Sequence, residues 1–254
     1  MKIISWNIAG LKANVDRGSF DIFYESLPDV ICFQEIRTAE HIEAIPGYEH
    51  YYNPSKLNPS LSGTGILTLD KEIKSISYDI SDDEELNNEG RVITVELDEL
   101  YIVNTYAPST VNGYDRKILR SKWDKAYKEH IMELNYYKPV IACGDFNTIL
   151  SPLDTYEGNR TREKEEEYFM ADETNNLLSL LDNGFIDAFR DFNPNLKNAF
   201  TWWNNKSNSR KINRGTRLDY FFVSDDIIDK VKKVSHFTNV MGSDHCPIGI
   251  EVTL

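Results

Sequence analysis

Short apolar runs separated by polar turns recur along the chain, and most are too short to be anything but strands. KIISWNI at 2–8 begins the series, and DVICFQ at 29–34 follows, apolar almost throughout as a central strand covered on both faces would be. LSGTGILTL at 61–69, RVITVEL at 91–97, LYIVNTY at 100–106 and PVIACGD at 139–145 read the same way. An aromatic FTWW at 200–203, RLDYFFVS at 217–224 and CPIGIEVTL at 246–254 complete the expected strands. Helical periodicity instead marks 19–27, which has to stop before Pro28, then 114–134 and 166–182. Strands and helices follow one another without regular alternation. That order favours an α+β or sandwiched α/β arrangement over a doubly wound sheet or a barrel. No linker rich in Gly, Pro or Ser divides the chain and no strong repeat appears, so one domain is expected over 1–254.

Composition narrows the class without naming a function. The 254 residues, 41% hydrophobic and 27% charged, exclude collagen-like, disordered and disulfide-scaffold proteins. A chain of this length buries roughly 70–75% of its extended surface and needs no staple. Cys32, Cys143 and Cys246 form no C-x-x-C motif and cannot all pair, so three free structural thiols in a reducing compartment are expected. The apolar N-terminal run is too short for a signal peptide, and no apolar stretch reaches membrane-spanning length. A cytoplasmic protein with no membrane partner is the expectation.

Charge at first argues against a phosphate-rich partner. The formal net charge is -13, and like charges repel. The acids are clustered, however. Residues 81–100 carry eight acids and one base, and 148–200 carry eleven acids and five bases. Residues 201–217, TWWNNKSNSRKINRGTR, carry five bases and no acid. Rings, amides and bases mixed in this way suit a nucleic-acid contact surface. SDDEELNNE reads as a solvated turn. The expected surface is acidic with a local positive rim.

Candidate chemistry sits where apolar strands stop. Asn7 follows KIISW, Glu35 follows DVICFQ, Asp145 and Asn147 follow PVIACG, Asp219 lies in RLDYFFV, and Asp244–His245 precede CPIGI. One acid at a strand end is usually a turn or cap residue. Several such ends can converge on one cleft. The set is one of hard oxygen donors: Glu35, Asp244 and the Asn7 carbonyl suit Mg²⁺, with Mn²⁺ as an alternative, whereas Zn²⁺ would want more His or Cys. His245 beside Asp244 can exchange a proton near neutrality, with Asp219 as its orienting carboxylate. His41, His50, His130 and His236 have no comparable setting. Neither a G-x-S-x-G elbow nor a P-loop is present.

These motifs, SWNIAGL at 5–11, PDVICFQEIR at 28–37, GTGILT at 63–68, EGRVITVE at 89–96, VNTYAPS at 103–109, GDFN at 144–147, RGTRLDYFFVS at 214–224 and GSDHCPI at 242–248, run in one order from first strand to last. With them the chain resembles the exonuclease III family of apurinic/apyrimidinic endonucleases, within the endonuclease/exonuclease/phosphatase superfamily. The resemblance implies a four-layer α/β/β/α sandwich with two facing mixed β-sheets, DNase I-like. It implies Glu35 as the main metal carboxylate, with Asn7 and Asp244 near it. By the same resemblance Asp145 positions or deprotonates the attacking water, Asn147 orients Asp145 and contacts phosphate, Tyr106 contacts phosphate, and His245, oriented by Asp219, binds phosphate. Arg116 and the 201–217 stretch resemble the DNA-facing loops, with Trp202 as a wall for the extruded sugar and Lys206, Arg210, Arg214 and Thr216 beside it. Ala9 stands where some relatives carry an acid, Thr216 where close relatives carry Trp, and 151–175 is acidic where relatives carry a loop that meets DNA. The implied activity is metal-dependent hydrolysis 5′ to an abasic site in double-stranded DNA by a monomer, with 3′→5′ exonuclease or 3′-repair activity left open. A superfamily phosphodiesterase or phosphatase acting on another substrate, and a nuclease-like binding module, are the alternatives.

Overall fold

The computed structural model describes residues 1–110, 114–159, 171–205 and 208–254. Among the described residues, twelve strands form two six-stranded mixed sheets. The first sheet has the order β11 (Val231–His236), β12 (Ile248–Val252), β1 (Lys2–Asn7), β2 (Val30–Gln34), β4 (Thr64–Thr68), β3 (Glu49–Asn53). The second has the order β5 (Ser75–Ser77), β6 (Val92–Glu96), β7 (Tyr101–Tyr106), β8 (Val140–Asp145), β10 (Asp219–Ser224), β9 (Phe185–Asp187). The sheets pack face to face through Ile3, Cys32 and Ile66 on one side and Ile102, Cys143 and Phe221 on the other. The outer face of the first sheet is covered by α1 (Leu11–Arg17) and α2 (Asp21–Ser26), through Leu11, Phe20 and Phe23. A one-turn α3 (Glu84–Asn87), capped by Asp83, occupies the acidic turn. The outer face of the second sheet is covered by α4 (Tyr114–Tyr137) and α5 (Asp172–Leu181), through Trp123, Tyr127, Ile131, Leu177 and Leu180. A short α6 (Ala188–Phe192) follows β9. The four-layer sandwich implied by the resemblance is therefore the fold.

Sequence and structure differ mainly at the sheet edges. The four strands that the apolar pattern does not mark, β3, β5, β9 and β11, are the four sheet edges. Edge strands keep polar and charged positions on exposed faces, as Lys232 and Lys233 do in β11, so their alternation is weak. FTWW, expected as a strand, is not one. Trp202 makes only isolated bridges to Thr216 and His245, because three loops meet there and none runs straight enough to pair. The described part of the helix expected over 166–182 is α5; residues 166–170 lie outside the described residues. All three cysteines are buried free thiols. No helix among the described residues is long and apolar enough to cross a membrane.

Side-chain alternation places the site. Along a strand, every second residue faces the same way. Ile3 faces the other sheet, and so Asn7 does. Cys143 does, and so Asp145 does; Phe221 does, and so Asp219 does. β1 runs parallel to β2 in register Asn7↔Gln34, and β7 runs parallel to β8 in register Tyr106↔Asp145. β10 is antiparallel to β8 and begins opposite its end, in register Asp219↔Asp145. Inner faces that start apolar thus finish, at one end of the sandwich, in amides and acids from both sheets.

Candidate active site

Asp145 lies at the centre of this end and is 1% exposed. Its Oδ2 accepts from Asn7 Nδ2 at 2.9 Å, and the same amide nitrogen donates to Glu35 Oε1 at 2.9 Å. Asn7 therefore brackets one carboxylate from each sheet. Asp145 Oδ1 accepts the Asn147 backbone N–H at 2.9 Å, and Asn147 Nδ2 donates to Ala107 O at 2.9 Å. His245 Nδ1 lies 2.8 Å from Asp219 Oδ2, and its Nε2 faces Asp145 Oδ2 at 3.7 Å. Asp244 accepts from Trp202 Nε1 at 3.2 Å. Tyr106, Glu35 and Leu218 join these groups around a cavity of ≈ 430 Å³.

The backbone is unusual where these groups sit. Glu35 and Asn147 both adopt left-handed φ, 53° and 51°. A non-glycine residue there is held by its surroundings, and such positions cluster at functional sites. Glu35 is pinned by Gly10 N–H donating to its carbonyl at 2.8 Å. Gly144, φ 135°, precedes Asp145, and a Cβ on it would meet Thr105 O at 1.9 Å. Gly144→Ala should therefore push β8 off β7 and cost ~3 kcal/mol or more, as overpacking of backbone does. Chemical denaturation of the purified variant measures this; a loss under ~1 kcal/mol would show that the two strands can part there.

Electrostatics favour a bound cation. Burial pushes the Asp145 carboxyl up, Asp219 and Glu35 push it further, and its pKa rises to about 7 against the opposing pull of His245 and the Asn147 N–H. Burial disfavours the His245 imidazolium, but Asp219, Asp145 and Asp244 outweigh that and raise it to about 10. His245 is therefore a cationic donor at neutral pH. Burial and Glu35 hold the Tyr106 phenol well above its ordinary range, so it too keeps its proton. Repulsion among clustered carboxylates is relieved by a cation, and Glu35 offers hard oxygen, the donor Mg²⁺ and Mn²⁺ prefer. Among the described residues no three His, Cys, Asp or Glu side chains are grouped to hold a metal by themselves. Two details differ from expectation. Asn7 turns its nitrogen to the carboxylates and its Oδ1 to Ala9 N–H at 3.1 Å. Glu35 Oε2 is engaged by Arg37, whose Nε lies 2.9 Å away.

The profile of the Endonuclease/Exonuclease/phosphatase family matches residues 4–245. The chain belongs to this family. Over its full length it is 38% identical to a DNA-(apurinic or apyrimidinic site) endonuclease of Dictyostelium discoideum, covering 71% of that protein. It is 33% identical to an exodeoxyribonuclease of Bacillus subtilis (strain 168), each covering 100% of the other. Among solved structures it resembles the AP endonuclease LMAP from Leishmania major, with a TM-score of 0.88 and 26% identity over 98% of this chain and 86% of that one.

In this member of the family, the basic stretch is used less for display than its charge suggests. Arg217 is fully buried between Asp154 and Asp187, with bonds of 2.7 and 2.6 Å, so it is no phosphate grip: its charge is cancelled inside the fold. Arg210 donates to the carbonyls of Ser243, Thr238 and Val240 and stacks over Trp203 at 4.6 Å, tying two loops together. Arg214 is exposed and lies over Tyr156 at 5.1 Å. Trp202 and Thr216 both line the cavity. Lys206 lies outside the described residues. Arg116 is paired with Glu89 at 2.7 Å.

Several supporting residues escape the sequence pattern. Arg120 is 2% exposed on α4 and donates to Pro108 O at 2.6 Å and Phe146 O at 3.0 Å, joining the loops that carry Tyr106 and Asp145. Ser243 Oγ donates to Asn7 O at 2.7 Å, and Trp6 Nε1 donates to His245 O at 3.1 Å. Arg120 falls on the apolar face of an amphipathic helix, where a charge signals a buried partner. Ser243 and Trp6 carry no such signal.

Proposed function

We propose that this protein is a metal-dependent DNA repair endonuclease that cuts the phosphodiester 5′ to an abasic site, leaving a 3′-hydroxyl and a 5′-deoxyribose phosphate. The observation that carries this reading is the placement of the buried Asp145 carboxylate, held by Asn7 and Asn147 between Glu35 and the Asp219–His245 pair, where burial pushes its pKa up to about 7. Asp145 accepts a proton from the attacking water, and Asn147 keeps the carboxylate aimed. His245, Tyr106 and Asn147 donate to phosphoryl oxygens as charge develops on them. Asp219 fixes the imidazole. Glu35 would hold the divalent cation, Mg²⁺ or Mn²⁺, with Asp244 and Asn7 nearby. When bound, that ion neutralises charge on the phosphoryl group. Trp202 supplies an apolar wall for a sugar that has lost its base, which costs less to extrude than an intact nucleotide. The named relatives support DNA as substrate, and the exodeoxyribonuclease among them supports 3′→5′ exonuclease activity as a second output of the same centre. One chain carries every one of these groups, which suits a monomer built as one domain.

A labelled duplex with one abasic-site analogue, incubated with Mg²⁺, with Mn²⁺ or with EDTA, tests the reading. A single metal-dependent cut 5′ to the site is expected, and intact duplex in every lane would remove the proposal. Because Arg217 and Arg210 are spent internally, the phosphate grip is thin. Binding to undamaged duplex at ~0.15 M salt should be weak, near the non-specific range of 10⁻⁴–10⁻⁶ M. A titration giving tight binding there would contradict the thin rim.

A further inference from the structure

Tyr106 is held by a run of charges that reaches the rim of the cleft. The Arg91 guanidinium lies 4.6 Å from the centre of the Tyr106 ring. Its Nη1 donates to the Tyr106 carbonyl at 3.0 Å, while the Tyr106 N–H donates to the Arg91 carbonyl at 2.8 Å. Arg91 is 7% exposed. Its Nε donates to Glu89 Oε2 at 2.6 Å. Glu89 then accepts a second fork: Arg116 Nη1 at 2.7 Å and Nη2 at 3.3 Å. Gly90 between them has φ 62°, and a Cβ on it would meet Asn53 O at 2.3 Å, so this turn is pressed against the end of β3 in the other sheet. Burial pushes the Glu89 carboxyl up, but Arg91 and Arg116 together hold it below the ordinary range, so it is charged at neutral pH.

We infer that Arg91 is a positioning residue for Tyr106, and that Glu89 and Arg116 anchor this clamp to the first turn of α4, so that the Arg116 guanidinium serves the clamp instead of a substrate phosphate. The kinetic part rests on the incision reading above. A tyrosine ring has two rotatable bonds, and its hydroxyl does its work only when aimed. A guanidinium can stack on the ring and bond at its edge at once, because its donors lie in its own plane. Lysine keeps the charge and loses both the plane and the fork. Glu89 fixes that plane from one side, and Arg116 keeps Glu89 from turning away. Displacing a positioned group by about 1 Å is enough to cost ~10²-fold in rate, so the clamp belongs to turnover more than to binding.

Two readouts on the full-length chain test this. In steady-state kinetics on an abasic-site duplex, Arg91→Lys, Glu89→Gln and Arg116→Gln are each expected to lower kcat by ~10-fold or more, with KM changing less than ~3-fold. The Arg91→Lys/Glu89→Gln pair should fall no further than the worse single change, since residues acting as a unit are not additive. Losing a phosphate contact would instead make the salt dependence shallower by ~0.9 in log K against log salt. For Arg116→Gln an unchanged slope is expected; a slope shallower by that amount, with kcat preserved, overturns the assignment of Arg116. The second readout needs no substrate. With ring-labelled tyrosine, the Tyr106 resonance, assigned through Tyr106→Phe, should move toward the free-tyrosine position in Arg91→Lys and Glu89→Gln. If it stays in place, the clamp is refuted. An inactive wild type would overturn the incision reading, while the resonance would still decide the clamp.

Discussion

Asp145→Asn is expected to lower abasic-site incision by on the order of 10²–10⁴ in kcat, with KM little changed. The substitution keeps the volume of the side chain and its bond to the Asn147 N–H. It removes the proton acceptor that Asn7 and Asn147 aim, and with it one of the charges that His245 faces at 3.7 Å. The pH profile separates a base from a bystander. A base must be ionised, and this carboxyl loses its proton only as pH climbs through about 7. Incision by the wild type should therefore rise with pH along an acid limb, and a cation bound at Glu35 moves that limb below 7. At the other end His245 keeps its proton up to about 10, and activity should fall above that value as the imidazolium is lost. The acid limb should vanish from the residual activity of Asp145→Asn. Incision within ~3-fold of wild type, or an unaltered acid limb, would remove Asp145 from the role of base.

Arg217→Met should unfold the protein more easily by ~3–5 kcal/mol, the usual consequence of leaving a buried carboxylate without its partner. Arg217 bridges Asp154, after β8, and Asp187, at the end of β9, from a fully buried position. The Arg190 guanidinium reaches Asp154 at 2.6 Å, and the Phe189 and Arg190 backbone N–H groups cap Asp187 Oδ1 at 3.1 and 3.3 Å, but these are neutral donors and do not replace the charge that Arg217 brings to Asp187. The wall of the cavity depends on the same contact, since Thr155 bridges Thr216 one residue away. Acid should reveal the pair as well. Burial raises the Asp154 carboxyl, and Arg217 and Arg190 more than offset it, so its folded pKa lies below the unfolded value of ~3.9. Its contribution is complete above the unfolded value and is lost as pH falls through the folded one. Urea melts across pH 3–7 should show wild-type stability falling at the acid end and a flatter acid limb in Arg217→Met. Equal midpoints for the two proteins at pH 7 would show that the bridge contributes no net stability.

The site was legible in the sequence to the extent that it is built from strand ends. Asn7, Glu35, Tyr106, Asp145, Asp219 and His245 each stand where an apolar run meets a turn, and the structure brings all six to one cavity or its edge. Their support was legible only in part. Arg120, Arg91 and Ser243 reach backbone carbonyls of the site 12 to 236 positions away; a charge on the apolar face of α4 marks Arg120 as needing a buried partner, but no local pattern says which partner any of the three takes. The basic stretch at 201–217 shows the same limit from the other side. Its five bases read alike, yet one is buried between acids, one staples carbonyls and one lies exposed over a tyrosine ring.

By itself the sequence determined the central strands, the main helices, the acids and amides at their ends, and the family they spell out. It could do so because burial on both faces leaves a central strand as a short continuous apolar run, burial on one face gives a helix a period of 3.6, and both are written locally. The edge strands were settled only by tertiary structure, since β5 and β9 are three residues each and β3 and β11 keep polar or charged residues at most positions, which leaves no apolar run to read. So was the use of each charge. Whether an arginine grips a phosphate, clamps a tyrosine or closes an ion pair depends on what lies within about 3 Å of it, and that is fixed through space, between segments far apart in the chain.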